Sequence, residues 1–146
     1  MIMKTREFVE QLDEAKVVAE IAAAEKRTTG EIRVFVSGQQ VTDPVSGAKL
    51  QFEKLGMTRT EHRNGVLLYF APRSQKFAII GDQGIHERCG AEFWEQVVAE
   101  VGTHLRSGSF TEGVTHGVRT VGQALAEHFP AQGGGPDELP NTVARD

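Results

Sequence analysis

Two short segments concentrate the residue types that could do chemistry. In FAIIGDQGIHE (77–87) an apolar run ends, Gly81 and Gly84 bracket Asp82, and a helical stretch begins. Glycines at such a junction let a backbone come close to a ligand, and a helix start offers free N–H groups to an anion. Asp82 adds a carboxylate, the donor that hard cations such as Ca2+ or Mg2+ require. Together these types suggest a cation, alone or bridging to phosphate, with Asp82 as ligand and Glu87 as a further oxygen donor one turn later. The simpler reading is a plain turn in which Asp82 caps the helix, because a Gly-Asp-x-Gly tetrad is a weak signal by itself.

The second segment is TEHRNGVLLYF (60–70), where Asn64-Gly65 just before an apolar run marks a tight turn needing positive φ. If the two apolar runs pair as a hairpin, residues 64 and 82 fall at the same end of a sheet. That arrangement brings Glu61, His62, Arg63 and Asn64 towards Asp82. Asn64 then joins Asp82 and Glu87 as a candidate cation ligand. Gly81, Gly84, Arg63, His86 and His62 become candidates for contacts to an anion or other ligand. The five histidines, at 62, 86, 104, 116 and 128, show no close pair at metal-ligand spacing in the sequence. Cys89 has no base beside it and reads as a small buried hydrophobe. No Gly-x-Ser-x-Gly elbow, Walker A loop or His-Glu-x-x-His motif is present.

These turns must be held by the elements around them. Apolar residues at Phe8, Leu12, Ala15, Ala19 and Ala22 predict one long amphipathic helix over 5–26, broken by the TTG at 28–30. EIRVFV (31–36) reads as a strand. AKLQFEKLG (48–56) reads as a helix closed by Gly56, and VLLYFA (66–71) and FAII (77–80) as a hairpin of strands apolar on both sides. Such strands imply a sheet covered on both faces. Residues 85–106 predict a helix interrupted near Gly90, and a last helix runs to about His128 behind a Ser109/Glu112 capping box. Gly113 and Gly117 lower helix propensity there, which points to a close approach by a neighbour. The expected order is α–β–α–β–β–α–α.

Composition bounds the function. The chain has 146 residues, 16 basic and 20 acidic, for a net charge of −4. That balance argues against a basic nucleic-acid-binding face. One cysteine excludes an internal disulfide framework and a Cys-rich zinc site. No apolar run approaches the roughly 20 residues of a membrane span, and the N-terminal stretch turns acidic where a secretory signal would be apolar. The expected location is cytoplasmic. Residues 131–146, AQGGGPDELPNTVARD, hold one basic and three acidic residues and little apolar surface. They read as a flexible tail after a domain spanning 1–130.

Three segments taken in order, TTGEIRVFV (28–36), RNGVLLYFAPRSQKFAIIGDQGI (63–85) and SGSFTEGVTHGVRTVGQAL (107–125), resemble the TPM domain family. The family is named after a thylakoid lumen phosphatase, a photosystem II repair protein and a nematode receptor modulator. The resemblance implies an α/β fold, a three-layer α/β/α sandwich around a small mixed sheet of three to four strands. It also implies either acid phosphatase activity with bound Ca2+ or Mg2+, or an accessory role in membrane complexes. The matching turns retain Asn64, Asp82 and Gly84, whereas Arg63 stands where many members carry an acidic residue. The chain looks like the free-standing soluble bacterial kind, sometimes encoded beside a LemA-type membrane protein. Two functional expectations follow. One is a binding or accessory module with a divalent cation at the Asp82 turn. The other is a metal-assisted phosphomonoester hydrolase using Asp82 as ligand and His86 or His62 as acid.

Overall fold

The computed structural model describes residues 5–131 and 142–146. Its helices are α1 (Thr5–Gln11), α2 (Glu14–Glu25), α3 (Pro44–Lys54), α4 (Gln83–Cys89), α5 (Ala91–Arg106) and α6 (Phe110–His128). Its strands are β1 (Glu31–Val36), β2 (Gly65–Ala71), β3 (Lys76–Gly81) and β4 (Val143–Arg145). They form one mixed sheet in the order β3-β2-β1-β4. β1 runs parallel to both β2 and β4, and β2–β3 is the expected antiparallel hairpin.

Strand alternation divides the core into two layers. Ile32, Val34, Val36, Val66, Leu68, Phe70 and Ile79 pack with Phe8, Val17, Ile21, Val97, Val101, Val118 and Leu125 of the helices on one face. Phe35, Leu67, Tyr69 and Ala78 pack on the other face with Ala48 and Phe52 of α3 and with Met57. Every residue of β2 is buried, which is why its sequence is apolar without alternation. The architecture is therefore the expected α/β/α sandwich around a small mixed sheet. Among the described residues, no helix is long and apolar enough to cross a membrane.

Several local expectations need correction. The helix predicted over 5–26 is two helices. Asp13 stops the first by accepting the Lys16 N–H as the N-cap of α2, while its own N–H donates to Thr111 Oγ1 at 2.9 Å. The break near Gly90 is present, at a φ of 80°. Ser109 does stand at the start of α6, but its hydroxyl makes no capping bond. Glu112 reaches Lys16 of α2 instead, at 3.4 Å, so the reciprocal box does not form. The end of the expected flexible tail is β4. It pairs with Val34–Val36, and Asp146 accepts from Ser37 Oγ and Gly38 N–H, each at 2.7 Å. The outer edge of β1 supplies the ladder groups that such a short segment cannot supply for itself. The rest of that tail, 132–141, lies outside the described residues.

The glycines of α6 do mark close approaches. A Cβ on Gly113 would stand 3.1 Å from His104 Cβ, and one on Gly117 would stand 2.8 Å from Leu68 Cδ2. At Gly122 it would meet Ala24 Cβ at 2.7 Å, where α2 crosses. In an open helix, Gly→Ala gains about 1 kcal/mol. Here the overlap reverses the sign, because overpacking costs about 1–3 kcal/mol. Gly122→Ala is therefore expected to lower stability by about 1 kcal/mol in urea unfolding. A raised midpoint would show that α2 is not pressed against this turn of α6.

Candidate functional site

Buried polar residues gather at one end of the sheet. Of the eight described, Glu25, Thr28, Glu31, Thr60, Asn64 and Asp82 stand where β1 and β2 begin and β3 ends; Ser37 and Thr115 are elsewhere. Among the described residues only β3 presents its carboxyl end here, so the usual placement of ligands beyond strand carboxyl ends applies to a single strand.

The turn after β3 is tied to the loop before β2 from both sides. Asp82 N–H donates to Gly65 O at 2.9 Å, continuing the β2–β3 ladder by one residue. Asp82 is also the N-cap of α4, with Oδ1 accepting the Gln83 N–H at 2.8 Å. Both carboxylate oxygens then receive a guanidinium. Arg63 Nε donates to Oδ2 at 2.6 Å and Nη2 to Oδ1 at 2.9 Å. This is the bidentate fork that matches arginine to carboxylate most closely. The Asp82 side chain is 7% exposed and that of Arg63 42%. The hydrogen bonds and charge of Asp82 raise the Arg63 pKa above its usual value.

The backbone follows from this pairing. The positive φ expected at Asn64-Gly65 falls one residue earlier, on Arg63, at 51°. Arg63 O accepts the Gly84 N–H at 2.9 Å. A Cβ on Gly84 would lie 2.3 Å from His62 O and 2.7 Å from Arg63 O, and one on Gly81 would meet Trp94 at 2.7 Å. Both glycines make room for this chain's own loop and tryptophan.

Asn64 is buried inside the same end. Its Nδ2 donates to Thr29 Oγ1 at 3.1 Å, and its N–H donates to Thr60 Oγ1 at 3.2 Å. Nearby, Glu25 Oε2 accepts the Ile32 N–H at 2.9 Å, and Thr28 Oγ1 accepts the Gly30 N–H at 3.0 Å. Glu25, Thr28, Thr29, Glu31 and Thr60 were missed as site residues; the hydroxyl pair and glutamate of TTGE were the available signal. The fold brings Arg63, Asn64, Asp82 and Gly84 together. His62 contributes its backbone, while its exposed ring lies 6.1 Å from that of Phe129. His86 stacks its ring on Trp94 at 5.9 Å. Glu87 is exposed on α4 and forms no ion pair among the described residues.

These residues do not fit a divalent cation. Calcium wants six to eight oxygens. The turn offers one carboxylate, whose oxygens already accept three N–H groups. Among the described residues, no group of three His, Cys, Asp or Glu is placed to hold a metal ion. Helix pairing does bring together two histidines that sequence spacing separates. The rings of His104 on α5 and His116 on α6 lie 5.5 Å apart, and His116 Nε2 is 2.6 Å from Glu100 Oε1. The bond to His116, with a second from Gln96, holds the Glu100 carboxyl below its usual pKa. Cys89 is half-buried, and burial, helped by Glu127, pushes its thiol pKa up.

A small mixed sheet sandwiched between helices, with a polar cross-tie at the open end of its β2–β3 hairpin, defines an α/β/α sandwich domain. Residues 2–124 match the TPM domain, and the chain belongs to that family. Its fold is similar to the NMR structure of BA42 protein from the psychrophilic bacterium Bizionia argentinensis. The two are 36% identical with a TM-score of 0.83, covering 91% of this chain and 92% of that one. Comparison with curated proteins gives no match.

The Gly84 contact yields a direct check. With backbone oxygens at 2.3 and 2.7 Å from the added carbon, no flexible side chain can give way. Gly84→Ala is expected to cost about 3 kcal/mol, the upper end of overpacking. An unchanged urea midpoint would mean that the 62–63 loop does not sit on α4.

Proposed function

We propose that this TPM domain is a non-catalytic binding module. The observation that carries the reading is the closed state of Asp82. Metal-assisted hydrolysis needs a cation to activate water and to neutralise phosphate. The carboxylate that would hold it is already neutralised by Arg63. Among the described residues, neither nearby histidine hydrogen-bonds a hydroxyl or thiol: the His86 ring is stacked on Trp94, and the His62 ring lies beside Phe129. Glu25, Thr28, Thr29, Thr60 and Asn64 hydrogen-bond within the domain and tie the end of α2, the start of β1 and the loop before β2 into one platform. The partner class suggested by the family resemblance is a LemA-type membrane protein.

The alternative is the metal-assisted phosphomonoester hydrolase, and one assay decides between them. Purified wild type and Asp82→Asn are incubated with p-nitrophenyl phosphate and Mg2+ or Ca2+ at acid and neutral pH. The expected result is no turnover above buffer for either chain. Turnover by wild type that disappears in Asp82→Asn would establish the hydrolase and overturn the binding-module reading.

A further inference from the structure

We infer that Arg63 is a built-in counter-cation: its guanidinium fills the place at Asp82 that a divalent ion would need, so the turn is organised without metal. The inference deepens the non-catalytic reading of the same site and rests on it. Asp82 is a nearly buried carboxylate, and a buried charge requires a partner charge together with hydrogen bonds. Among the described residues Arg63 is its ion-pair partner, contacting both oxygens. The nearest helical cation on α4, Arg88, turns away, donating to His128 O and lying over the Phe129 ring at 4.3 Å.

The backbone of Arg63 supports the same conclusion. A φ of 51° is unfavourable for a long side chain, and Asp or Asn suits it better. Arginine stands there with its side chain clamped on Asp82 and its carbonyl accepting the Gly84 N–H. One residue therefore supplies both the charge and the main-chain tie between the loop and α4. A divalent ion arriving at Asp82 would have to displace a tethered guanidinium, then face its positive charge at close range. Replacing that guanidinium by a carboxylate inverts the balance. Asp at position 63 would relieve the backbone and exchange the positive charge facing Asp82 for a second negative one, a balance that favours a cation.

The test titrates CaCl2 and MgCl2 into wild type, Arg63→Gln and Arg63→Asp at constant ionic strength. Amide NMR shifts of residues 60–65 and 82–86 and the thermal midpoint are both followed. Wild type is expected to show no saturable shift and no change in midpoint. Arg63→Gln is expected to melt lower, without recovery to wild type. Arg63→Asp is expected to melt lower in EDTA and to regain stability with Ca2+, half-saturating on the order of 1 mM, the weak end of calcium sites. Adding Asp82→Asn should remove that response. If Arg63→Asp does not fold in EDTA, folding recovered by Ca2+ supports the inference just as directly. A saturable Ca2+ or Mg2+ shift at 82–86 in wild type would overturn it, as would an Arg63→Asp chain that gains no response. Wild-type turnover in the phosphatase assay would overturn the non-catalytic reading instead, so the two failures are distinguishable.

Discussion

A single guanidinium–carboxylate pair joins the loop before β2 to the turn after β3, and the surrounding geometry follows from it. With Arg63 forked onto Asp82, the 62–63 backbone lies against the first turn of α4, leaving no room for a side chain at position 84. The capping bond from Asp82 sets where α4 begins. The seat of Trp94 against Gly81 then fixes how α5 returns over the sheet. The pair is half in water on its arginine side. Its value lies in specificity of register and in neutralising a buried acid, more than in attraction between exposed charges.

Stability at large comes from elsewhere. The two apolar layers bury whole Leu, Ile, Val and Phe side chains, each contributing about 1.5–3 kcal/mol. Glycines in α6 let that helix lie close to α2, α5 and β2 at once. The polar ties at the sheet end are thus set into a frame that is already rigid.

Much of the frame was legible in the residues. VLLYFA and FAII read as strands because a sheet covered on both faces needs no polar alternation. Gly113 and Gly117 read as contact points because nothing else justifies glycine inside a helix. The misses share one cause, a partner far away in the chain. Asp13 breaks the first helix with help from Thr111, and Glu112 abandons its cap for Lys16. Val143–Arg145 is a strand only because β1 has an open edge beside it. At the site, the hairpin correctly placed residues 64 and 82 at one end. What stayed hidden was that Arg63, an apparent obstacle to a cation, is itself the cation. That depends on a left-handed backbone at 63, which local sequence assigned to Asn64-Gly65. Glu25, Thr28 and Glu31 were hidden for a related reason: polar residues at a helix end and a strand start look solvated until tertiary packing covers them.

The most direct measurement is a double-mutant cycle on Arg63→Gln and Asp82→Asn, read from urea unfolding with EDTA and again with excess Ca2+. The account predicts a favourable coupling between the two side chains that is the same in both conditions, because the counter-charge is internal. A coupling indistinguishable from zero would contradict it. So would one that disappears in Ca2+, because the ion would then be doing the work assigned here to the guanidinium.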